Sequence, residues 1–357
     1  MGKTEAGKKD IRSLSVKELE TFFLLCGEKS FRARQVYAWL WEKSARSFNE
    51  MTTLSKALRE MLSTHFFIHS ASPEMLQVSK DRTIKTAFRL NDGYTVEGVL
   101  IPAENRITAC VSSQVGCSLT CRFCATGKME RSRNLTPGEI YDQVASIRAQ
   151  AEERYKTPLT NIVFMGMGEP LLNYANVLAA IDHITSPDGL NMSPQRITVS
   201  TAGIAKMIKK LGDDAVKFNL ALSLHAANNS KRNSIMPVNE SNSLEALTEA
   251  LRYFYDKTGT RITYEYIIFE GFNDTLTDAA ELAEFCKKVP CKVNIIEYNS
   301  IEDGEFRNAG KNKTDAFRKC LEDKNIIVNI RRSRGKDIDA ACGQLANKSV
   351  LNKEPAL

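Results

Sequence analysis

Cys117, Cys121 and Cys124 fall within GCSLTCRFCATGKM, a C-x3-C-x2-C spacing with Phe123 before the last cysteine. Three thiolates this close in sequence suit an iron–sulfur cluster, whose irons are ligated by cysteine sulfur. A [4Fe-4S] cubane held by three cysteines keeps one iron open for a further ligand. A structural zinc ion would instead take four nitrogen or sulfur ligands, often as two separated pairs. No partner pair and no nearby histidine accompany these three cysteines.

An open iron needs a polar cup around it, and the surrounding sequence is organised to build one. From about residue 107 a βα rhythm begins. The apolar strands ITACVSS, NIVFMG, RITVS, KFNLALSL, RITYEYIIF, KVNIIEY and NIIVNI alternate with helical stretches. One of these, TPGEIYDQVASIRAQAEERY, opens with Thr136 as N-cap, Pro137 behind it and Glu139 at the third position. The pattern predicts an α/β fold, a partial (β/α)6 barrel, too short for eight units. Barrel active sites form at the C-terminal ends of the strands. After the cysteine loop, those ends carry Gly166–Pro170, Ser200–Gly203, Ser223-Leu224-His225, Glu270–Asp274 and Tyr298-Asn299-Ser300. Candidate ligand-binding residues are therefore Gly168, Glu169, Ser200, Ser223, Leu224, His225 and Asn299.

Ahead of the barrel, residues 15–64 read as helices, beginning with a capping box at Ser15 and Glu18. Trp39 and Trp41 lie there and are expected in the core, with stacking on RNA bases as the other reading. TIKTAFRL and YTVEGVLIP alternate as strands about an Asn91-Asp92-Gly93 turn, a β-hairpin extension. The expected divisions are a small N-terminal helical RNA-docking domain (1–70), the hairpin (71–106), the barrel (107–331) and a C-terminal tail (332–357). Residues 1–12 and 349–357 are expected to be loose. Net charge is +6, and residues 1–60 hold twelve Lys or Arg against eight Asp or Glu, a mild basic excess compatible with RNA. No apolar run approaches the roughly 18 residues of a membrane span, and no secretory signal opens the chain. A cytoplasmic protein with no membrane contact is expected, where nine cysteines do not read as a disulfide framework. Cys26, Cys286, Cys291 and Cys320 are expected to be buried small apolar residues.

The cysteine spacing resembles the signature of radical S-adenosylmethionine (SAM) enzymes. That resemblance implies SAM on the open iron and Glu169 of GMGEP facing its ammonium. Three further segments, ACVSSQVGC (109–117), GMGEPLLN (166–173) and SRGKDIDAACGQLA (333–346), resemble the RlmN/Cfr family of RNA methyltransferases. The similarity runs from about residue 15 to 347, and DIDAACGQL is absent from most radical-SAM enzymes. It implies methylation of an adenine ring carbon with two SAM per turnover. One SAM methylates the Cys342 thiol. A second yields the radical that removes hydrogen from that methyl group, and the resulting carbon radical adds to adenine. Glu97 would accept the ring proton, and Cys110 would release the RNA by forming a disulfide with Cys342.

The family has two branches, methylating adenine C2 or C8. Arg334-Gly335 resembles the C2 branch, whereas Tyr298-Asn299-Ser300 departs from its commoner Trp-Asn-Pro and is similar to the C8 branch. The expectation is the C2 reaction on 23S rRNA and on tRNA beside the anticodon. The electron donor would be a low-potential protein such as flavodoxin or ferredoxin, and the enzyme a monomer. The alternatives are a C8 methyltransferase, a non-catalytic RNA-binding or assembly factor, and a radical-SAM enzyme acting on a peptide or small molecule.

Overall fold

In the computed structural model, which describes residues 8–348, the chain begins with β1 (Lys9–Asp10) and the helices α1 (Val16–Leu25), α2 (Phe31–Trp41) and α3 (Lys56–His65). β2 (Phe66–Phe67) then pairs in parallel with β1. The Ser15–Glu18 capping box forms as its sequence dictates. Residues 8–12 depart from the expected loose end. Ile11 is fully buried, and the Arg12 guanidinium donates to Asp142 at 2.8 Å with both side chains out of solvent. Residues 1–7 and 349–357 lie outside the described residues.

Trp41 is buried as expected and stacks on His183 with ring centroids 3.5 Å apart. Trp39 is only half-buried, its Nε1 donating to Thr53 Oγ1. Cys26 is exposed, contrary to expectation. Leu19 and Phe23 form the buried stripe of α1. The helix stops at Leu25 and the chain turns at Gly27, which takes Cys26 off that stripe. Cys286 is buried, and Cys291 and Cys320 are half-buried.

The central sheet has ten strands. Its first four are antiparallel: β3 (Ser72–Val78), β4 (Ile84–Arg89), β5 (Thr95–Ala103) and β6 (Arg106–Cys110). The hairpin expected about Asn91–Gly93 joins β4 to β5, but it is no appendage. It continues the barrel sheet through β6, which pairs in parallel with the next barrel strand. β3 escapes the sequence pattern because it is an edge strand carrying Pro73 and a register shift between Pro73 and Met75.

A short antiparallel pair, β7 (Gln114–Val115) and β8 (Arg133–Asn134), brackets the cysteine loop. The chain then alternates through α4 (Pro137–Tyr155), β9 (Asn161–Phe164), α5 (Tyr174–Thr185), β10 (Ile197–Thr201), α6 (Ala205–Asp213) and β11 (Asn219–Ser223). It continues through α7 (Asn229–Ile235), α8 (Leu244–Thr258), β12 (Ile262–Ile267), α9 (Leu276–Cys286), β13 (Cys291–Ile296), α10 (Lys311–Glu322) and β14 (Val328–Arg331). Sheet order is β14-β13-β12-β11-β10-β9-β6-β5-β4-β3. The seven strands from β6 to β14 are parallel in chain order, an open barrel as predicted. One core runs through it from Val111 and Phe164 to Val293 and Phe317, joined to that of α1–α3.

Candidate active site

The strand-end loops line a solvent-open cavity with about 1060 Å³ of empty space, its mouth included. Cys117, Cys121 and Cys124 line it with Gly168, Glu169, Ser200, Ser223, His225 and Cys342. The structure thus brings together nine of the thirteen residues singled out by sequence. Glu97, Cys110, Leu224 and Asn299 do not open on it.

The three loop thiols are protonated when no metal is bound: burial pushes Cys117 up to about 11 and raises Cys121 and Cys124. A metal deprotonates such a thiol on binding. Among the described residues no three ligating side chains converge on one ion-sized point. A cubane takes its cysteines at separate iron corners, and the three thiols that line this cavity can supply three of them. Phe123 packs edge-on against His225, with ring centroids 4.7 Å apart, which seats the cysteine loop on the end of β11.

Glu169 is a buried carboxylate whose two oxygens accept from Ala202 N–H at 2.7 Å and Leu171 N–H at 3.0 Å. Burial raises its pKa against those two bonds. The turn before it requires Gly168: φ is +93°, and a Cβ there would stand 2.4 Å from Gln114 Cβ. Ser200 and Ser223 face each other with Oγ atoms 3.4 Å apart. His225 Nδ1 accepts from Ile267 N–H at 3.2 Å, and burial lowers its pKa to about 3, so the ring is neutral with the proton on Nε2. Leu224 puts its side chain in the core, and its N–H and C=O are taken by Glu265 and Arg232. Asn299 reaches the tail, donating to Cys342 O at 3.2 Å. Its Oδ1 is buried with no hydrogen-bonding partner among the described residues, next to the cavity-lining Tyr298.

The tail that carries Cys342 is held from both sides. Ala125 N–H donates to Gly343 O at 2.7 Å, and Thr126 Oγ1 donates to Leu345 O at 2.6 Å. Asp337 accepts from Ser79 Oγ and from Lys80 N–H at 3.1 Å. Gly335 turns the chain at φ +66°, where a Cβ would meet Ala340 Cβ at 2.7 Å. Cys342 is exposed and lines the cavity. The surrounding protein raises its thiol pKa, and the Arg331 guanidinium opposes that rise. Cys110 lies buried at the end of β6, pushed up to about 12 by burial and then by the nearby Cys342. Glu97 lies on β5 beneath the tail, fully buried, its Oε2 accepting from the N–H groups of Ala346 and Asn347 at 3.0 Å each.

Three site residues escape the sequence reading. Arg331 donates to Glu265 at 3.1 Å, and its charge acts on both Cys342 and Cys110. Glu265 also lines the cavity. The available signal was a carboxylate in the middle of an apolar strand, RITYEYIIF. Arg232, fully buried in α7, donates to the carbonyls of Ala202, Ser223 and Leu224 and so ties two strand ends together.

Family models match two parts of this arrangement. Residues 9–68 match the ribosomal RNA large subunit methyltransferase N-terminal domain, and residues 111–286 match the radical SAM superfamily. A probable dual-specificity RNA methyltransferase RlmN from Cytophaga hutchinsonii is 64% identical over 97% of this chain and 95% of its own. The chain belongs to the RlmN family. The dual-specificity RNA methyltransferase RlmN of Geobacter sulfurreducens is 46% identical over 95% of this chain and 92% of its own. A crystal structure of a radical SAM methyltransferase from Sphaerobacter thermophilus superposes with a TM-score of 0.89. It is 38% identical and covers 94% of this chain and 99% of that one. The RlmN family is one of radical-SAM RNA methyltransferases, so the partial barrel, a [4Fe-4S] cluster and SAM belong to this chain as a member.

Proposed function

We propose that this enzyme methylates adenine C2 in 23S rRNA, in the peptidyl-transferase centre, and in tRNA next to the anticodon. The observation that carries the reading is the meeting of Cys342, with Cys110 beside it, and the three loop cysteines at one cavity. When bound, the cluster and SAM supply a methyl group and the radical chemistry that an electrophilic ring carbon demands. Cys117, Cys121 and Cys124 hold the cluster, and Ser200, Ser223, Asn299 and the Gly168-Glu169 turn hold SAM. Cys342 presents its sulfur to the cavity as methyl carrier, with the Arg331 charge favouring thiolate. Glu97 accepts the ring proton. Cys110 stays protonated at rest under its burial. It then gives up its proton and forms the S–S bond to Cys342 as the sulfur–carbon bond to the RNA breaks; the electron pair stays with the carbon, which takes up a proton to become the methyl group.

The helices of residues 1–70 dock RNA through phosphate contacts, and the target base is unstacked to enter the cavity, at a cost of a few kcal/mol. A low-potential donor of the flavodoxin or ferredoxin type serves the enzyme, which works in the cytoplasm as a monomer. No helix among the described residues is long and apolar enough to cross a membrane.

Anaerobic reconstitution with SAM and reductant on rRNA and tRNA fragments tests the reading. The digested product should contain 2-methyladenosine. Only 8-methyladenosine, or no methylated nucleoside at all, would overturn it.

A further inference from the structure

We infer that Lys85 is a positioning residue of this reaction, aiming the Glu97 carboxylate beneath the Cys342-bearing tail while the RNA adduct is resolved. The inference rests on the reading of Glu97 as proton acceptor and Cys342 as methyl carrier.

Lys85 lies on β4 and is 3% exposed. On the sheet, Lys85 stands opposite Val99, Ala87 opposite Glu97, and Val99 opposite Cys110. Paired residues share a face and side chains alternate with period two. Lys85, Glu97 and Cys110 therefore project from the same face of three neighbouring strands. The opposite face packs on α4, where Thr86 Oγ1 meets Gln150. The face that carries Lys85 is the one the tail covers.

Two contacts of Lys85 bear on the chemistry. Its Nζ is 3.4 Å from Glu97 Oε1, with both side chains buried, and 3.4 Å from the carbonyl oxygen of Asp339. Glu97 Oε2 is committed to the N–H groups of Ala346 and Asn347. Oε1 has no hydrogen-bonding partner among the described residues, so it is the oxygen open to a proton. Lys85 thus stands beside that oxygen. It touches the tail three residues before Cys342, and its ion-pair partner holds the tail four and five residues after.

Stability alone does not account for the pair. A buried ion pair is often no better than apolar side chains of the same volume, because both charges lose their water. What the pair supplies is geometry. A compact ammonium on a flexible stem can fix a carboxylate oxygen and still follow a small shift of the tail. Without it, Oε1 would be a buried charge with nothing to aim it. The step that needs Glu97 would then slow, while the steps that need only Cys342, the cluster and SAM would not.

The test uses the full-length holoenzyme with Lys85→Met, Lys85→Gln and Glu97→Gln, followed step by step. The variants Lys85→Met and Lys85→Gln should load methyl on Cys342 and form the covalent RNA adduct at parental rates. They should release methylated RNA at least tenfold more slowly, so that adduct accumulates on a denaturing gel. Lys85→Gln, a neutral donor, reads the same step if the methionine variant does not fold. Parental release by a folded Lys85 variant overturns the inference. So does methyl loading that falls as far as release, which marks a purely structural role, and so does failure of both variants to fold. Glu97→Gln separates the two readings. If it stalls while Lys85 variants do not, only the role of Lys85 fails. If it releases RNA normally, the proton-acceptor reading fails first.

Discussion

Asn299 donates its side-chain N–H to the main-chain carbonyl of Cys342 at 3.2 Å. The loop after β13 thereby fixes the height at which the Cys342 sulfur meets the cavity. Removing a bond of this kind costs on the order of 1 kcal/mol. The variant Asn299→Ala should lower methyl loading on Cys342 by about tenfold while iron content stays at the parental level. Mass spectrometry of the Cys342 peptide, with an iron assay on the same sample, checks this.

Replacing Cys117, Cys121 or Cys124 by alanine should abolish both the brown iron–sulfur chromophore and all methylation. Two thiolates leave the cubane under-ligated. Full iron and full activity in any one of the three variants would remove the cluster assignment.

The variant Cys110→Ala should form the RNA adduct and then stall, so protein purified from cells should carry a nuclease-sensitive shift on a denaturing gel. Cys342→Ala should show no shift, because it never carries the methyl group. If Cys110 is only a packed strand residue, its loss should cost a modest amount of stability and trap nothing. Free turnover by Cys110→Ala sinks the two-thiol scheme.

The Arg12–Asp142 pair is buried on both sides, and Asp142 also receives Ala71 N–H at 3.0 Å. Gly138 makes room for it, since a Cβ there would stand 2.9 Å from Arg12 Cδ. Arg12→Ala should therefore destabilise the protein by about 3–5 kcal/mol, measured by urea unfolding. An Arg12→Ala, Asp142→Ala double variant should recover part of the loss. It follows that deleting residues 1–70 does not cleanly test RNA docking, because the deletion strands Asp142.

His183, stacked on Trp41 and hydrogen-bonded to Tyr37, has its pKa lowered from 6.5 to about 4, first by burial and then by Arg12. A lowered histidine pKa means the unfolded chain binds the proton first. Stability should be level above pH 6.5 and fall as pH drops from there toward 4. Urea midpoints across that range should show the slope, and His183→Gln should reduce it, leaving the share that His225 contributes. An unchanged slope in the variant assigns the acid sensitivity elsewhere.

The barrel was legible because its strands are apolar runs bounded by helices with plain caps, and its rim because polar residues recur at each strand end. The cysteine loop and the tail motif named the chemistry before any geometry was known. Three features were not legible. β3 carries a proline and an exposed face, so its pattern is weak. Lys85 and Arg331 are charged residues in strands, which read by default as solvent-facing. Only the register of the sheet and the path of the tail show that Lys85 is buried against Glu97 and that Arg331, half-buried, stands near Cys342 and Cys110. Glu97 was placed by resemblance, and nothing in its own strand foretold that the tail would cover it.

Glu97 meets Ala346 and Asn347 across 249 and 250 positions of chain. A polypeptide emerges from the ribosome one end first, and contacts of such separation form last. The antiparallel strands that carry Glu97 and Cys110 can be in place long before Cys342 is synthesised. The cup beneath the tail therefore stays unfinished until residues 342–347 have been made. On the proposed scheme, a growing chain could form no adduct with RNA before its residue 342 had been made.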